Sequence, residues 1–267
     1  MISPQGPSSA NNQHPLAPLR RFTPARIALG RTGNSLLTKD LLDFSAAHAM
    51  ARDAVQAAIN VTSITEQLTA VQLDWIHVHS AAPDRATYLR RPDLGRKLDE
   101  PSRQHLSSLQ LEAKPDLLFL VADGLSAIAP ERYAVSAIQE TRKLLAGWKV
   151  GPILIAEQAR VALGDQAGEI LQAEIVVTLI GERPGLSSPD SLGIYLTWQP
   201  RVGRIDAERN CISNVRSEGI SPARAAHTLH HLLLRARRLK LSGVALKDQS
   251  GDRQALPGEH LPYQDIS

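Results

Sequence analysis

Leu117-Leu-Phe-Leu-Val-Ala-Asp-Gly-Leu-Ser126 is the stretch on which the fold turns. Its first six residues are apolar without a break. A strand with one wet face alternates apolar and polar side chains; an unbroken short run bounded by turn residues is a strand buried on both faces. Asp123-Gly124 ends it. Downstream, Pro130 opens a helix towards Gly147, with Val135, Ile138 and Leu145 on one side. Val150-Gly-Pro-Ile-Leu-Ile155 is the next strand, Asp165 to Leu171 a short helix, and Glu174 to Ile180 another strand. Gly193 to Gln199 is a further strand. Ser221-Pro222 starts a helix, with Ser as N-cap and Pro in the first turn. That helix runs to about Leu241 and turns Ala225, Leu229, Leu232, Leu233 and Ala236 inward. Upstream, Leu73 to His79 alternates loosely like a strand, and Tyr88 to Lys97 is a charged connector.

Strands alternating with helices give an α/β fold: a mostly parallel sheet with helices on both faces. A small helical N-terminal region precedes it. Leu36-Leu37, Leu41-Leu42, Phe44 and Ala47 recur at three-to-four spacing and predict a helix continuing towards Ile59. The organisation expected is a disordered leader over 1–18, a mainly helical region over 19–72, the α/β domain over 73–250 and a tail over 251–267. Gly30-Arg-Thr-Gly33 is either a tight turn or a backbone cradle for an anion. It lacks the Lys-Ser/Thr of a phosphate loop.

Composition narrows the function classes. The chain has 267 residues, 43% apolar and 21% charged, as in ordinary globular proteins, and aromatics are scarce at 4%. Net charge is only +3. The one dense basic run, Arg235-Ala-Arg-Arg-Leu-Lys240, sits where cations suit the negative end of a helix dipole. No nucleic-acid partner is expected. No apolar run reaches membrane-spanning length, so no membrane partner is expected. One cysteine precludes an internal disulfide and suits a reducing cytoplasm.

The chemistry of single residues points to binding more than to catalysis. Ser126 follows a strand but lacks the Gly-x-Ser-x-Gly elbow of a hydrolase. Cys211 has no sequence-evident base to lower its thiol pKa and reads first as a small, soft packing residue. His227 and His231 share a helix face without the zinc-protease Glu. No Gly-x-Gly-x-x-Gly follows a strand. What stands out is Gly181-Glu-Arg-Pro-Gly185, an elaborate charged loop after the strand ending at Ile180. With Asp123–Ser126 it should lie along the carboxyl edge of the sheet, where open α/β sheets bind ligands.

Several stretches together resemble the small (light, β) subunit of ethanolamine ammonia-lyase. They are Arg26 to Gly33, Tyr88-Leu-Arg-Arg-Pro-Asp-Leu-Gly-Arg96, Asp123-Gly-Leu-Ser126, Arg160-Val-Ala-Leu-Gly-Asp-Gln-Ala-Gly-Glu-Ile170, Gly181-Glu-Arg-Pro-Gly185 and Cys211-Ile-Ser-Asn214. The likeness runs from about Leu19 to Gly243. It implies a subunit of a radical enzyme that uses adenosylcobalamin to convert ethanolamine to acetaldehyde and ammonia. A large partner subunit would hold the substrate and the catalytic residues, leaving none in this chain. The small subunit would close over cobalamin with Val161, Glu182 and Cys211, placing the cofactor contacts in the 73–250 region. No Asp-x-His-x-x-Gly motif is present to replace the cofactor's own base, so the resemblance implies base-on binding. It also implies a cytoplasmic enzyme, free or within a bacterial microcompartment; the leader before Leu19 is shorter than the extended N-terminus of some relatives. The alternatives are a stand-alone α/β enzyme with Cys211 or Ser126 as nucleophile, and a scaffold subunit without ligand contacts.

Overall fold

A computed structural model describes residues 14–23 and 25–248. The unbroken apolar run forms strand β4 (Leu117–Ala122), and all its residues are buried. Beside it lie β5 (Ile153–Glu157) and β6 (Ile175–Gly181), buried but for Glu157 and apolar but for Glu157 and Thr178. Two short strands, β1 (Arg31–Thr32) and β2 (Ser35–Leu36), form a separate hairpin. The main sheet has six strands in the order β3-β5-β4-β6-β7-β8, with β3 (Trp75–His79), β7 (Leu192–Trp198) and β8 (Arg209–Val215) completing it. β3, β5, β4 and β6 are parallel. β7 runs antiparallel to β6, and β8 antiparallel to β7. The sheet is therefore mixed: the parallel pattern expected from strand–helix alternation stops at β6, because the Gly181–Ser191 loop reverses the chain directly without a crossover helix.

Helices cover both faces. α5 (Ile128–Lys143) and α7 (Pro222–Leu239) pack on one, over a core that includes Phe119, Val121, Ile155, Val177, Ile194 and Ile212. α7 starts where Ser221 accepts from the Arg224 N–H at 3.3 Å, and Leu229, Leu232 and Leu233 are buried as expected. Each such leucine contributes roughly 1.5–3 kcal/mol through burial. α6 (Leu163–Ile170) covers the other face, with Leu163 and Ala167 against Leu118, Leu120 and Val176.

The helix expected towards Ile59 forms as α1 (Thr38–Gln56), and a second helix that the sequence pattern did not mark, α2 (Val61–Ala70), follows it. The break is a capping event, since the Asn60 side chain accepts from the Ser63 N–H at 3.0 Å and starts a new helix. The apolar positions that mark α1 are not buried in this chain; Leu41, Leu42 and Phe44 are exposed. The charged connector also holds more order than its composition indicates. α3 (Arg85–Arg90) is capped by Asp84, and α4 (Glu100–Ser108) follows, capped by Asp99. Of the expected disordered leader, residues 1–13 lie outside the described residues, while a 3-10 turn already spans Ala17–Phe22. The expected tail over 251–267 also lies outside them.

Candidate functional site

The carboxyl edge of the parallel strands offers two different surfaces. The first is the crevice between β4 and β5. The chain leaves β4 for α5 on one face and leaves β5 for α6 on the other, so the loops part there and form a topological switch point. This crevice is closed by the protein itself. The Asp123 carboxylate, fully buried, accepts from the backbone N–H groups of Gly124, Gln158 and Ala159, each at 2.9 Å. It also pairs with Arg85 at 3.1 Å, whose side chain is 10% exposed. Arg85 donates in turn to the Val55 carbonyl at 2.7 Å, fixing the end of α1 to the sheet edge. A buried carboxylate satisfied this fully has nothing left for a ligand.

The second surface begins at the loop after β6. It is locked to the Asp123 loop by backbone contact, with Leu125 N–H donating to the Gly181 carbonyl at 3.0 Å. A Cβ on Gly181 would stand 1.9 Å from the Ser126 carbonyl oxygen, and one on Gly124, at φ +55°, would stand 2.2 Å from the Gly181 oxygen. Glycine is required at both positions, and the reason at Gly181 is this internal approach, not the approach of a ligand that its sequence context suggests. Ser126 donates to the Pro189 carbonyl at 2.6 Å. Asp190 accepts from Arg132 at 2.7 Å and Tyr133 at 2.9 Å, tying the loop to α5.

Glu182 is half-buried at the base of this loop. Its carboxylate accepts from the Ser191 hydroxyl, from the Ser213 hydroxyl at 2.5 Å and from the Asn214 N–H at 3.2 Å. One side chain thereby joins the ends of β6, β7 and β8. No ion pair links it to Arg183 among the described residues, so it is more than the charged corner of a turn. A Cβ on Gly193 would come within 3.1 Å of the Glu182 Oε1 and 3.0 Å of the Tyr195 ring; the missing side chain lets these two approach across the strand.

Cys211 lies directly opposite Tyr195 in the β7–β8 register. Ile212 belongs to the core under α5 and α7, so by strand alternation Cys211 and Ser213 point to the other face; Val215 rejoins the core only past the register shift in the β7–β8 pairing. Val161, just ahead of α6, packs half-buried against the apolar cluster of that same face, as does Tyr195. The three residues singled out from sequence are thus turned to one face of the sheet: Val161 and Glu182 follow the carboxyl ends of β5 and β6, while Cys211 sits further back along β8, level through Tyr195 with Thr178 in the middle of β6. The element that sets their separation is a buried ion pair. Arg209 of β8 meets Asp165 of α6 in two bonds of 2.6 Å, with both side chains no more than 3% exposed. It holds the helix behind Val161 against the strand bearing Cys211.

The electrostatics favour a neutral thiol. Cys211 is exposed as a residue, yet partial desolvation of its sulfur raises the thiol pKa; the Glu182 charge adds to this and the Tyr195 hydroxyl opposes it. Tyr195 is likewise shifted up, first by burial, then by Cys211 and Glu182. Neither Cys211 nor the buried Ser126 has a histidine hydrogen-bonded to it among the described residues. Nor do the described residues place three His, Cys, Asp or Glu side chains for a metal ion. Burial, then the charges of His227 and His231, lower the pKa of His230. Of Gly30–Gly33, Arg31 and Thr32 form strand β1, and Gly33, at φ +60°, opens the two-residue turn to β2. No described helix is long and apolar enough to cross a membrane. The sequence reading missed Ser191, Gly193, Tyr195 and Ser213; an alternation signal around Tyr195 was present, but nothing in it marks which strands become neighbours.

A family model described as ethanolamine ammonia-lyase light chain matches residues 13–247. A Pseudomonas aeruginosa protein named ethanolamine ammonia-lyase small subunit is 53% identical over 254 residues, covering 94% of this chain and 93% of its own. Proteins of the same name from Pseudomonas syringae pv. tomato and Xanthomonas campestris pv. campestris are 54% and 52% identical. They cover 89% and 90% of this chain and 84% and 89% of their own.

Proposed function

The chain belongs to the ethanolamine ammonia-lyase light chain family, and from that premise we propose that it is the small subunit of an adenosylcobalamin-dependent enzyme converting ethanolamine to acetaldehyde and ammonia. The large subunit supplies the substrate pocket and the catalytic groups. This chain supplies part of the cofactor's seat, with Val161, Glu182 and Cys211 as contacts. What supports the reading is that Glu182 and Cys211 are neighbours on one face of the sheet, where Cys211 and Ser213 are exposed, and that Val161 packs against the apolar cluster of that same face.

The residues present fit a corrinoid. Its ring is a broad, flat apolar plate whose rim carries neutral amide arms. Small side chains at Gly193, Cys211 and Ser213 leave the strand surface shallow enough for a plate to lie against. Glu182 is an anionic acceptor already held in place by two hydroxyls and a backbone N–H, so it need not be ordered when an amide arm donates to it. Val161 and the raised-pKa thiol of Cys211 offer apolar, neutral contact. A surface this open cannot exclude water from a cofactor by itself, which accords with a seat completed by the second subunit. When bound, the cofactor supplies the radical chemistry of the deamination; this chain orients it and keeps water from one side. No Asp-x-His-x-x-Gly motif in this chain would offer a histidine to take the place of the cofactor's own base. The enzyme is cytoplasmic, free or enclosed in a microcompartment.

The test is reconstitution. Mixed with the large subunit and adenosylcobalamin, the chain should give acetaldehyde from ethanolamine and retain corrinoid absorbance on gel filtration. Alone with the cofactor it should do neither. Turnover by this polypeptide alone would overturn the reading and return Cys211 or Ser126 to the nucleophile role. A complex that is active but retains cofactor equally well after Val161, Glu182 and Cys211 are all replaced would reduce this chain to a scaffold.

A further inference from the structure

Next to Val161 stands an arginine whose charge nothing in the described chain balances. The Arg160 guanidinium lies over the Tyr88 ring at 4.3 Å, and Arg85 lies over the same ring at 4.8 Å. Arg85 has its carboxylate, Asp123, at 3.1 Å. Arg160 has none within reach among the described residues, and its Nε–H is buried without a partner. So is one N–H-bearing atom of Arg85, Nη2. Around Tyr88, whose phenol donates to the Ala159 carbonyl at 3.0 Å, there are then two guanidinium cations and one carboxylate. Half-buried charge left one anion short is costly unless a ligand or partner supplies that anion. The position is also constructed. Arg160 N–H donates to the Gly95 carbonyl at 2.8 Å, and a Cβ on Gly95 would stand 2.9 Å from the Tyr88 ring and 3.1 Å from Arg160 Cγ. The chain keeps that residue small so that ring and arginine can close on it.

We infer that Arg160, held against Tyr88, binds the phosphodiester of the cobalamin nucleotide loop. This rests on the reading above, in which Val161 lies against the corrinoid. The peripheral arms of a cobalamin are neutral amides; its negative charge is on that phosphodiester. A fixed guanidinium offering several donors is the side chain best matched to phosphate oxygens. Arg85, already paired, acts on this site through Tyr88 as a positioning residue.

A ligand cycle tests the assignment in the reconstituted complex, reading affinity by absorbance rather than turnover. The probes are cyanocobalamin and cobinamide, which lacks the whole nucleotide loop. Arg160→Gln should weaken cyanocobalamin binding about tenfold or more and leave cobinamide within about twofold of the parent. Arg160→Lys, which keeps the charge but loses the fork, should fall between. Equal losses for both corrinoids would mean that Arg160 only packs, and would overturn the inference; so would an unchanged cyanocobalamin affinity. Should the Gln variant not fold, the parent complex decides: added salt should weaken cyanocobalamin binding and spare cobinamide, and insensitivity to salt for both would refute a phosphate contact. A parent complex that binds cyanocobalamin but shows none of these differences fails this inference alone. One that binds neither corrinoid removes the reading beneath it as well.

Discussion

The Asp123 crevice and the Glu182 face lie side by side on one sheet edge, and each is built around a carboxylate. At Asp123, three backbone N–H groups and one guanidinium meet a side chain that is fully buried. At Glu182, two hydroxyls and one N–H meet a side chain that is only half-buried, with exposed Ser213 and Asn214 as neighbours. The first closes the place where an open α/β sheet would ordinarily hold a ligand. The second holds itself still and keeps an approachable side. A carboxylate's partners alone therefore do not say whether it is structural or receptive; what remains exposed after those partners are counted does.

Replacement of Asp123 is the most direct way to break the contrast. Asp123→Ala leaves Arg85 buried and unpaired and orphans three backbone donors, so a loss of about 3–5 kcal/mol is expected. Urea unfolding of the chain should show it as a lowered midpoint with an unchanged slope. A change below about 1 kcal/mol would mean that the crevice can open, and that the two regions are not different in kind.

Glu182→Gln should act on the other axis. It keeps size and removes the charge, so cofactor affinity in the complex should fall by roughly 1–3 kcal/mol while the unfolding midpoint moves far less than for Asp123→Ala. If the stability loss instead matched the Asp123 variant with cofactor affinity intact, Glu182 would join Asp123 as a purely structural group.

Cys211→Ala sharpens the picture at smaller scale. A packing thiol contributes on the order of 1 kcal/mol, a few-fold in affinity, and turnover at saturating cofactor should remain within about tenfold of the parent. Background turnover in a complex shown to contain cofactor would make the thiol chemically essential.

The smallest effect concerns the same thiol in the free chain. Its folded pKa is raised, so at pH 8 less of it is thiolate than in an ordinary exposed cysteine. Alkylation by iodoacetamide should be slower than for a model peptide at that pH, with the difference closing as pH rises past the raised pKa. A rate equal to the peptide's at pH 8 would show that Glu182 and burial do not act on the sulfur.

Legibility in the sequence followed burial. β4 and β6, buried along their whole length, were readable from composition, as was α7 from its Ser-Pro start and its inward leucines. β8 was not. Arg209-Asn-Cys-Ile-Ser-Asn-Val215 buries only Arg209, Ile212 and Val215, because its other face looks onto the open surface. A strand that serves a binding face gives up the apolar alternation that would announce it. The reversal at β7 was missed for a related reason: a strand run carries no direction, and only the missing crossover helix sets it. On α1 the apolar spacing correctly gave a helix, but spacing cannot say what the stripe faces, and Leu41, Leu42 and Phe44 stay exposed. At the candidate site, the residues Val161, Glu182 and Cys211 came from family likeness. Their mutual arrangement depends on Asp165–Arg209 and on the Tyr195–Cys211 register, pairings across 44 residues and between neighbouring strands that no local pattern encodes.

The interlock of Gly124 with Gly181 constrains how this surface could be re-engineered. Two loops that touch backbone to backbone, with no room for a β-carbon on either, are one part and not two. A designer grafting the Glu182 loop onto another scaffold would have to carry the Asp123–Ser126 turn with it, and a mutational library at either glycine should return glycine alone. Sequence drift at this edge is thereby channelled outward, to Arg183, Leu186 and Ser187, where side chains are exposed and the backbone is free to accept any of them.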